Sequence, residues 1–124
     1  MVTIVLVHGA FADGSSWNRV IKLLLNMGYR VVAPSNPLRG VEHDSAYVTS
    51  VVGPPSWRSV KSWAVIATSD KAAGTDIVRE MAQRAGAKIT EVDSSHVVMV
   101  SHPEVVTDVI LDAARAGELA AATR

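Results

Sequence analysis

The sequence contains no cysteine, a single phenylalanine, no block of like charges and no long apolar segment. Without cysteine, disulfides and thiolate metal sites are excluded. Every apolar run is far shorter than the roughly 20 residues of a membrane helix, so no membrane span is predicted. Twelve basic residues balance twelve acidic ones, which offers no attraction to nucleic acid or anionic lipid. These absences favour a cytoplasmic protein that acts on a small molecule.

Motifs for metals, phosphates and export are also missing. The histidines and acidic residues have no metal-ligand spacing, and Gly9 and Gly14 are too far apart for a dinucleotide-binding fingerprint. The N-terminal segment has no basic leader, so its short apolar run indicates a buried strand rather than a signal peptide. The sequence therefore predicts a protein without metal or cofactor.

The 124 residues, 48% hydrophobic and 19% charged, predict one globular domain over positions 1–124. Apolar runs predict strands at Thr3–His8, Tyr29–Ala33, Trp63–Thr68 and Lys88–Val92. Helices are expected from Ser15 or Ser16, from Asp44, over Thr75–Ala85, and from a Ser101–Glu104 capping box to about Arg115. Their predicted buried faces include Val20, Leu24, Val51, Ile77, Met81, Ala82 and Val106. This alternation predicts an α/β three-layer sandwich with a short, mostly parallel four-stranded sheet of order 2-1-3-4.

Two polar residues follow neighbouring strands of that sheet. Asp70 comes after the third strand and His96 after the fourth. Ligands bind beyond the carboxyl ends of parallel strands, and an acid followed by a histidine is the chain order of hydrolases. In that chemistry the acid orients the imidazole, which moves protons. The alternative is a turn-forming aspartate and an ordinary loop histidine, as we expect for the surface residues His43 and His102.

The segment after the first strand predicts a second part of the site. The backbone amides of Gly9, Ala10 and Phe11 are suited to stabilise an oxyanion, although a plain strand–turn–helix connection explains them equally well. The Gly-x-Ser-x-Gly nucleophile motif is missing. Either a displaced serine approaches His96, or His96 activates water directly. The candidate serines are Ser15, Ser16 and Ser69.

Both ends of the sequence resemble the small α/β-hydrolase fold esterases, the group of plant methylesterases and hydroxynitrile lyases. The stretches that carry this resemblance are 4–11 with Trp17, 28–34, 65–70, 85–87 and 91–103. The resemblance implies that Asp70 is the triad acid, that His96 is the base, and that Ala10 and Phe11 belong to the oxyanion loop. The family's nucleophile-elbow strand, the strand after it and its cap helices have no counterpart here, and the seam lies near 51–53.

The missing central strands leave two alternatives for the sheet. Either strands one and three pair directly, or their edges stay open and a second copy of the chain covers them. We therefore expect a homodimer, formed by edge pairing or strand exchange.

For function we expect weak or specialised hydrolysis of small apolar carboxylic esters. The alternatives are a catalytically inactive remnant that binds a small ligand or oligomerises, and a lyase-type reaction with His96 as base.

Overall fold

The computed structural model describes residues 2–9, 12–53 and 61–122. The chain divides into two compact units, Met1–Ser56 and Trp57–Arg124. The first unit contains β1 (Thr3–Val5), a 3-10 helix (Gly14–Trp17), α1 (Asn18–Asn26), β2 (Arg30–Val32) and α2 (Val41–Val52). The second contains β3 (Trp63–Ala67), α3 (Thr75–Arg84), β4 (Lys88–Val92), α4 (Val98–Ser101) and α5 (Pro103–Ala122). No helix among the described residues is long and apolar enough to cross a membrane.

In the first unit, α1 connects two parallel strands. β1 and β2 pair with Ile4 opposite Val31. Val20 and Leu24 lie one helical turn apart on α1 and are completely buried. Gly28 then takes a φ of 83°, the left-handed conformation that ends a helix without steric cost. Helical spacing and a glycine stop thus explain this strand–helix–strand segment.

In the second unit, β3 and β4 form a parallel ladder from Trp63 opposite Lys88 to Ala67 opposite Val92. The ladder continues beyond the strands, because Thr68 N donates to Val92 O at 2.9 Å and Ser69 N donates to Ser94 O at 3.0 Å. The core of this unit consists of Ile66, Ala67, Ala82, Val98, Val106, Leu111 and Ala114. The extended ladder brings the segments after both strands to the same edge of the sheet.

The α/β class and the parallel pairing are confirmed, but the single four-stranded sheet is not what the structure shows. The described strands form two sheets of two strands each, with β1 beside β2 and β3 beside β4. Both pairs are neighbours in the predicted order 2-1-3-4. An apolar run indicates that a strand is covered, whereas backbone hydrogen bonds select its neighbour. The sequence pattern therefore could not establish the remaining pairing.

Several helix boundaries differ from the prediction. Ser15 and Ser16 lie in the 3-10 helix, and α1 itself begins at Asn18. α2 begins at Val41 rather than Asp44, after Gly40 at a φ of 122°, and carries acidic residues in its first turn. α5 continues past Arg115 to Ala122, because its last turns are rich in alanine, the best helix former. Ser101 lies in the separate short helix α4, so it does not start the long helix.

Several predicted buried positions are exposed. Val20, Leu24, Ala82 and Val106 are buried as predicted. On α3, however, Ile77 is 61% exposed and Met81 is 55% exposed, and Val51 on α2 is 41% exposed. Helical spacing indicates which residues share a face, but only tertiary packing decides how much of that face is covered.

Candidate functional site

Asp70 is held by a tight turn between β3 and α3. Its Oδ1 accepts hydrogen bonds from Ala72 N at 2.8 Å and Ala73 N at 3.0 Å. Its own N–H donates to Thr75 Oγ1 at 3.2 Å, and that hydroxyl donates to Ala67 O at 2.7 Å. The Asp70 side chain is only 5% exposed. The aspartate is therefore a turn former, and its second oxygen is left for another partner.

That partner is His96. The Asp70 Oδ2 and His96 Nδ1 atoms are 2.9 Å apart. An ionised carboxylate can only accept a hydrogen bond, so the imidazole carries its proton on Nδ1 and donates it to Asp70. In the neutral ring, Nε2 then has a free lone pair. The His96 side chain is 51% exposed, and within residues 61–122 no group hydrogen bonds to Nε2. The arrangement leaves an oriented proton acceptor at the surface of its unit.

Hydrogen bonding keeps the Asp70 carboxylate ionised. The bond from His96 is the main reason that the pKa of Asp70 falls from 3.8 to about 2, and the Ala73 and Ala72 amides add to the shift. Burial acts in the opposite direction, because it disfavours the charged form. At neutral pH the pair therefore consists of a negative carboxylate and the imidazole that it orients. A carboxylate in this position also stabilises the imidazolium that forms when Nε2 takes up a proton.

The three candidate serines have other partners. Ser69 Oγ donates to Asp93 Oδ1 at 3.4 Å, and within residues 61–122 no bond joins it to His96. In the first unit, Ser15 Oγ bonds to the Asp13 carboxylate and Ser16 Oγ donates to Asp13 O at 2.7 Å. The Asp13 side chain caps the 3-10 helix by accepting the Ser15 N–H, and both hydroxyls bond to the same residue. Each candidate hydroxyl thus has a partner within its own unit.

Of the predicted oxyanion loop, only Gly9 is among the described residues. Its carbonyl oxygen accepts a hydrogen bond from His8 Nδ1 at 3.2 Å. The other ring nitrogen of His8, Nε2, accepts the Asn36 N–H at 2.9 Å, and the residue is 4% exposed. His8 thus ties the end of β1 to the loop after β2. The predictions for Ala10 and Phe11 lie outside the described residues.

The structure contains one hydroxyl cluster that the sequence reasoning missed. Ser101 Oγ lies 2.7 Å from Ser94 Oγ and 3.0 Å from His102 Nδ1. Ser94 is buried, whereas Ser101 is exposed. The sequence predicted Ser101 as a helix cap and His102 as an ordinary surface residue. The short helix α4 brings these groups together, and no periodicity in the sequence marks a four-residue helix.

Comparisons and metal geometry add no further assignment. Among the described residues, no group of three His, Asp or Glu side chains is arranged to hold a metal ion. No protein-family model, curated protein or solved structure matches the chain. The Asp70–His96 contact is therefore the feature of the structure that bears on function.

Proposed function

We propose that this chain is a hydrolase-like protein that slowly cleaves small apolar carboxylic esters, with His96 as general base and Asp70 as the residue that positions it. The observation that carries the proposal is the 2.9 Å contact between His96 Nδ1 and a carboxylate that is 5% exposed, on an imidazole that is half exposed. Burial and three hydrogen bonds immobilise the acid, while the base remains open to a substrate.

The proposed reaction uses water as the nucleophile. His96 Nε2 removes a proton from a water molecule, whose oxygen attacks the ester carbonyl carbon. Asp70 stabilises the imidazolium during this step. When the tetrahedral intermediate collapses, the bond to the alcohol oxygen breaks and the imidazolium returns the proton to that oxygen. The products are an acid and an alcohol, and His96 is regenerated.

The test is the hydrolysis of p-nitrophenyl acetate by the full chain. General base assistance is worth about 10²–10⁴-fold, so we expect His96→Ala to lower the second-order rate constant by about 10²-fold. A free imidazole also cleaves this ester, which makes a control histidine necessary. His43 is suitable because its side chain is 58% exposed, close to the 51% of His96. If His43→Ala and His96→Ala lowered the rate constant equally, the hydrolysis would be the reaction of any exposed histidine, and the proposal would be wrong.

Four finer predictions accompany this proposal. The amides of Gly9, Ala10 and Phe11 are proposed to stabilise the oxyanion, and Gly9→Pro, which removes one N–H, is expected to slow turnover. The relationship to α/β-hydrolase esterases is proposed on the sequence stretches given above. The order 2-1-3-4 remains a proposal from the sequence, of which the two observed parallel pairs cover only the neighbours 2-1 and 3-4. The cytoplasmic location stays a prediction from the sequence.

The second candidate function is that of a catalytically inactive, oligomerising remnant. The exposed side chains of Ile77 and Met81, one turn apart on α3, favour this candidate. The sheet of β3 and β4 also favours it, because among the described residues each of these strands is paired along one edge. In either case we propose a homodimer. Light scattering on the size-exclusion peak is expected to give twice the monomer mass. A monomer at every concentration would contradict the dimer, and a dimer without ester turnover would favour the remnant.

A further inference from the structure

A second group of side chains in the Trp57–Arg124 unit has the arrangement of an activated hydroxyl. Ser101 Oγ lies between Ser94 Oγ at 2.7 Å and His102 Nδ1 at 3.0 Å. A longer contact of 3.4 Å connects Ser101 Oγ to Val98 O. The two short contacts are within ordinary hydrogen-bond distance, so they dominate the environment of this hydroxyl.

The direction of these hydrogen bonds suits a nucleophile. When His102 is neutral with an unprotonated Nδ1, it accepts the Ser101 proton, because a lone pair is all it offers there. The Ser94 hydroxyl has one proton, and it donates to Ser101 Oγ when that proton points along the 2.7 Å contact instead of the 3.2 Å bond to Ser95 O. A base that removes the proton and a donor that stabilises negative charge on the oxygen are the two requirements for activating serine.

Burial and exposure are divided between the two hydroxyls. Ser94 is 9% exposed, and its carbonyl oxygen accepts a hydrogen bond from Ser69 N at 3.0 Å, so the extended ladder fixes its backbone. Ser101 is exposed at the end of α4 and is open to a reagent. The structure therefore combines a fixed donor with an accessible oxygen.

We propose that Ser101 is a second reactive site, a serine that accepts acyl or phosphonyl groups from activated esters and fluorophosphonates with His102 as its base and Ser94 as a positioning donor. His102 Nδ1 takes the Ser101 proton while Oγ forms a bond to the electrophilic carbon or phosphorus. The bond to the leaving group then breaks: an alkoxide takes the proton from His102 and leaves as an alcohol, whereas fluoride leaves as the anion and His102 gives the proton to water. Within residues 61–122 no hydrogen bond joins this cluster to the Asp70–His96 pair, and the proposal does not depend on that pair.

The experiment treats the folded full chain with a fluorophosphonate probe and maps the label by peptide mass spectrometry. We expect one label, on Ser101, that is absent from denatured protein and from Ser101→Ala. Because general base assistance is worth about 10²–10⁴-fold, His102→Gln is expected to label about 10²-fold more slowly. Ser95→Ala, which alters an exposed neighbouring serine, serves as the matched control and is expected to label normally.

The His96→Ala variant distinguishes this site from the proposed ester hydrolysis. We expect it to keep the rate of Ser101 labelling while its steady-state rate of ester hydrolysis falls by about 10²-fold. Absence of a label, a label on another serine, or an equal labelling rate in His102→Gln would each overturn the proposal. Mapping the label on the wild-type chain already shows whether Ser101 is the labelled serine. The proposal can therefore be tested even if a variant fails to fold.

Discussion

Replacing Asp70 with asparagine tests whether the carboxylate controls the tautomer of His96. The Oδ1 atom of the wild-type residue accepts two backbone amides, from Ala72 and Ala73, and Oδ2 accepts the His96 Nδ1–H. An asparagine can keep the first pair of bonds with its carbonyl oxygen. Its NH₂ group would then face His96 Nδ1, where a donor can bond only to an unprotonated nitrogen.

The expected result of Asp70→Asn is therefore a change of tautomer. With Nδ1 unprotonated, the neutral ring carries its proton on Nε2, so the exposed nitrogen has no lone pair with which to accept a proton from water. In a buried catalytic triad the same change lowers kcat about 10⁴-fold through the wrong tautomer. Here the imidazole is 51% exposed, and water can compete for both nitrogens, so we expect a loss of about 10–10²-fold.

The assay has two independent readouts. Two-dimensional ¹H–¹⁵N NMR of the histidine ring reports the tautomer directly, and p-nitrophenyl acetate hydrolysis reports the rate. We expect the Nδ1–H form in the wild type and the Nε2–H form in Asp70→Asn, with the slower rate. If the tautomer changes and the rate does not, His96 is not the base; if neither changes, Asp70 does not position the ring.

Two further predictions concern stability. The pKa of Asp70 is about 2 in the folded protein, below its ordinary value of 3.8, so the unfolded chain binds this proton first as the pH falls. The stabilisation by Asp70 is therefore complete above its ordinary pKa and is lost as the pH falls from about 4 to about 2. Urea unfolding across this pH range is expected to give a free energy of unfolding that depends less on pH in Asp70→Asn than in the wild type. The same pH dependence in both proteins would contradict the prediction. Thr75→Ala removes the hydroxyl that bonds to Ala67 O and Asp70 N, at an expected cost of about 1–3 kcal/mol. Thr75→Ser keeps the hydroxyl and should recover most of this stability, so equal losses in the two variants would exclude these bonds as the cause.

The sequence by itself determined the elements with strong local signals. Val20 and Leu24 one turn apart, followed by Gly28, predicted a helix with one buried face and a definite end, because side-chain spacing and backbone freedom act locally. It also predicted that Asp70 and His96 meet. The reason is geometric, since residues after adjacent parallel strands emerge at the same edge of a sheet.

Only the tertiary structure decided which groups beyond these pairs come together. Strand pairing into two sheets depends on backbone hydrogen bonds between distant segments, which the apolar pattern of one strand does not encode. The same holds for Ile77 and Met81, which were predicted to be buried on α3 but are exposed. Ser101 meets Ser94 and His102 through a four-residue helix, too short to produce a periodic signal. The sequence pattern thus predicted that Asp70 and His96 meet, while non-local packing determined the contacts of Ser101, the pairing of the strands and the exposed surface.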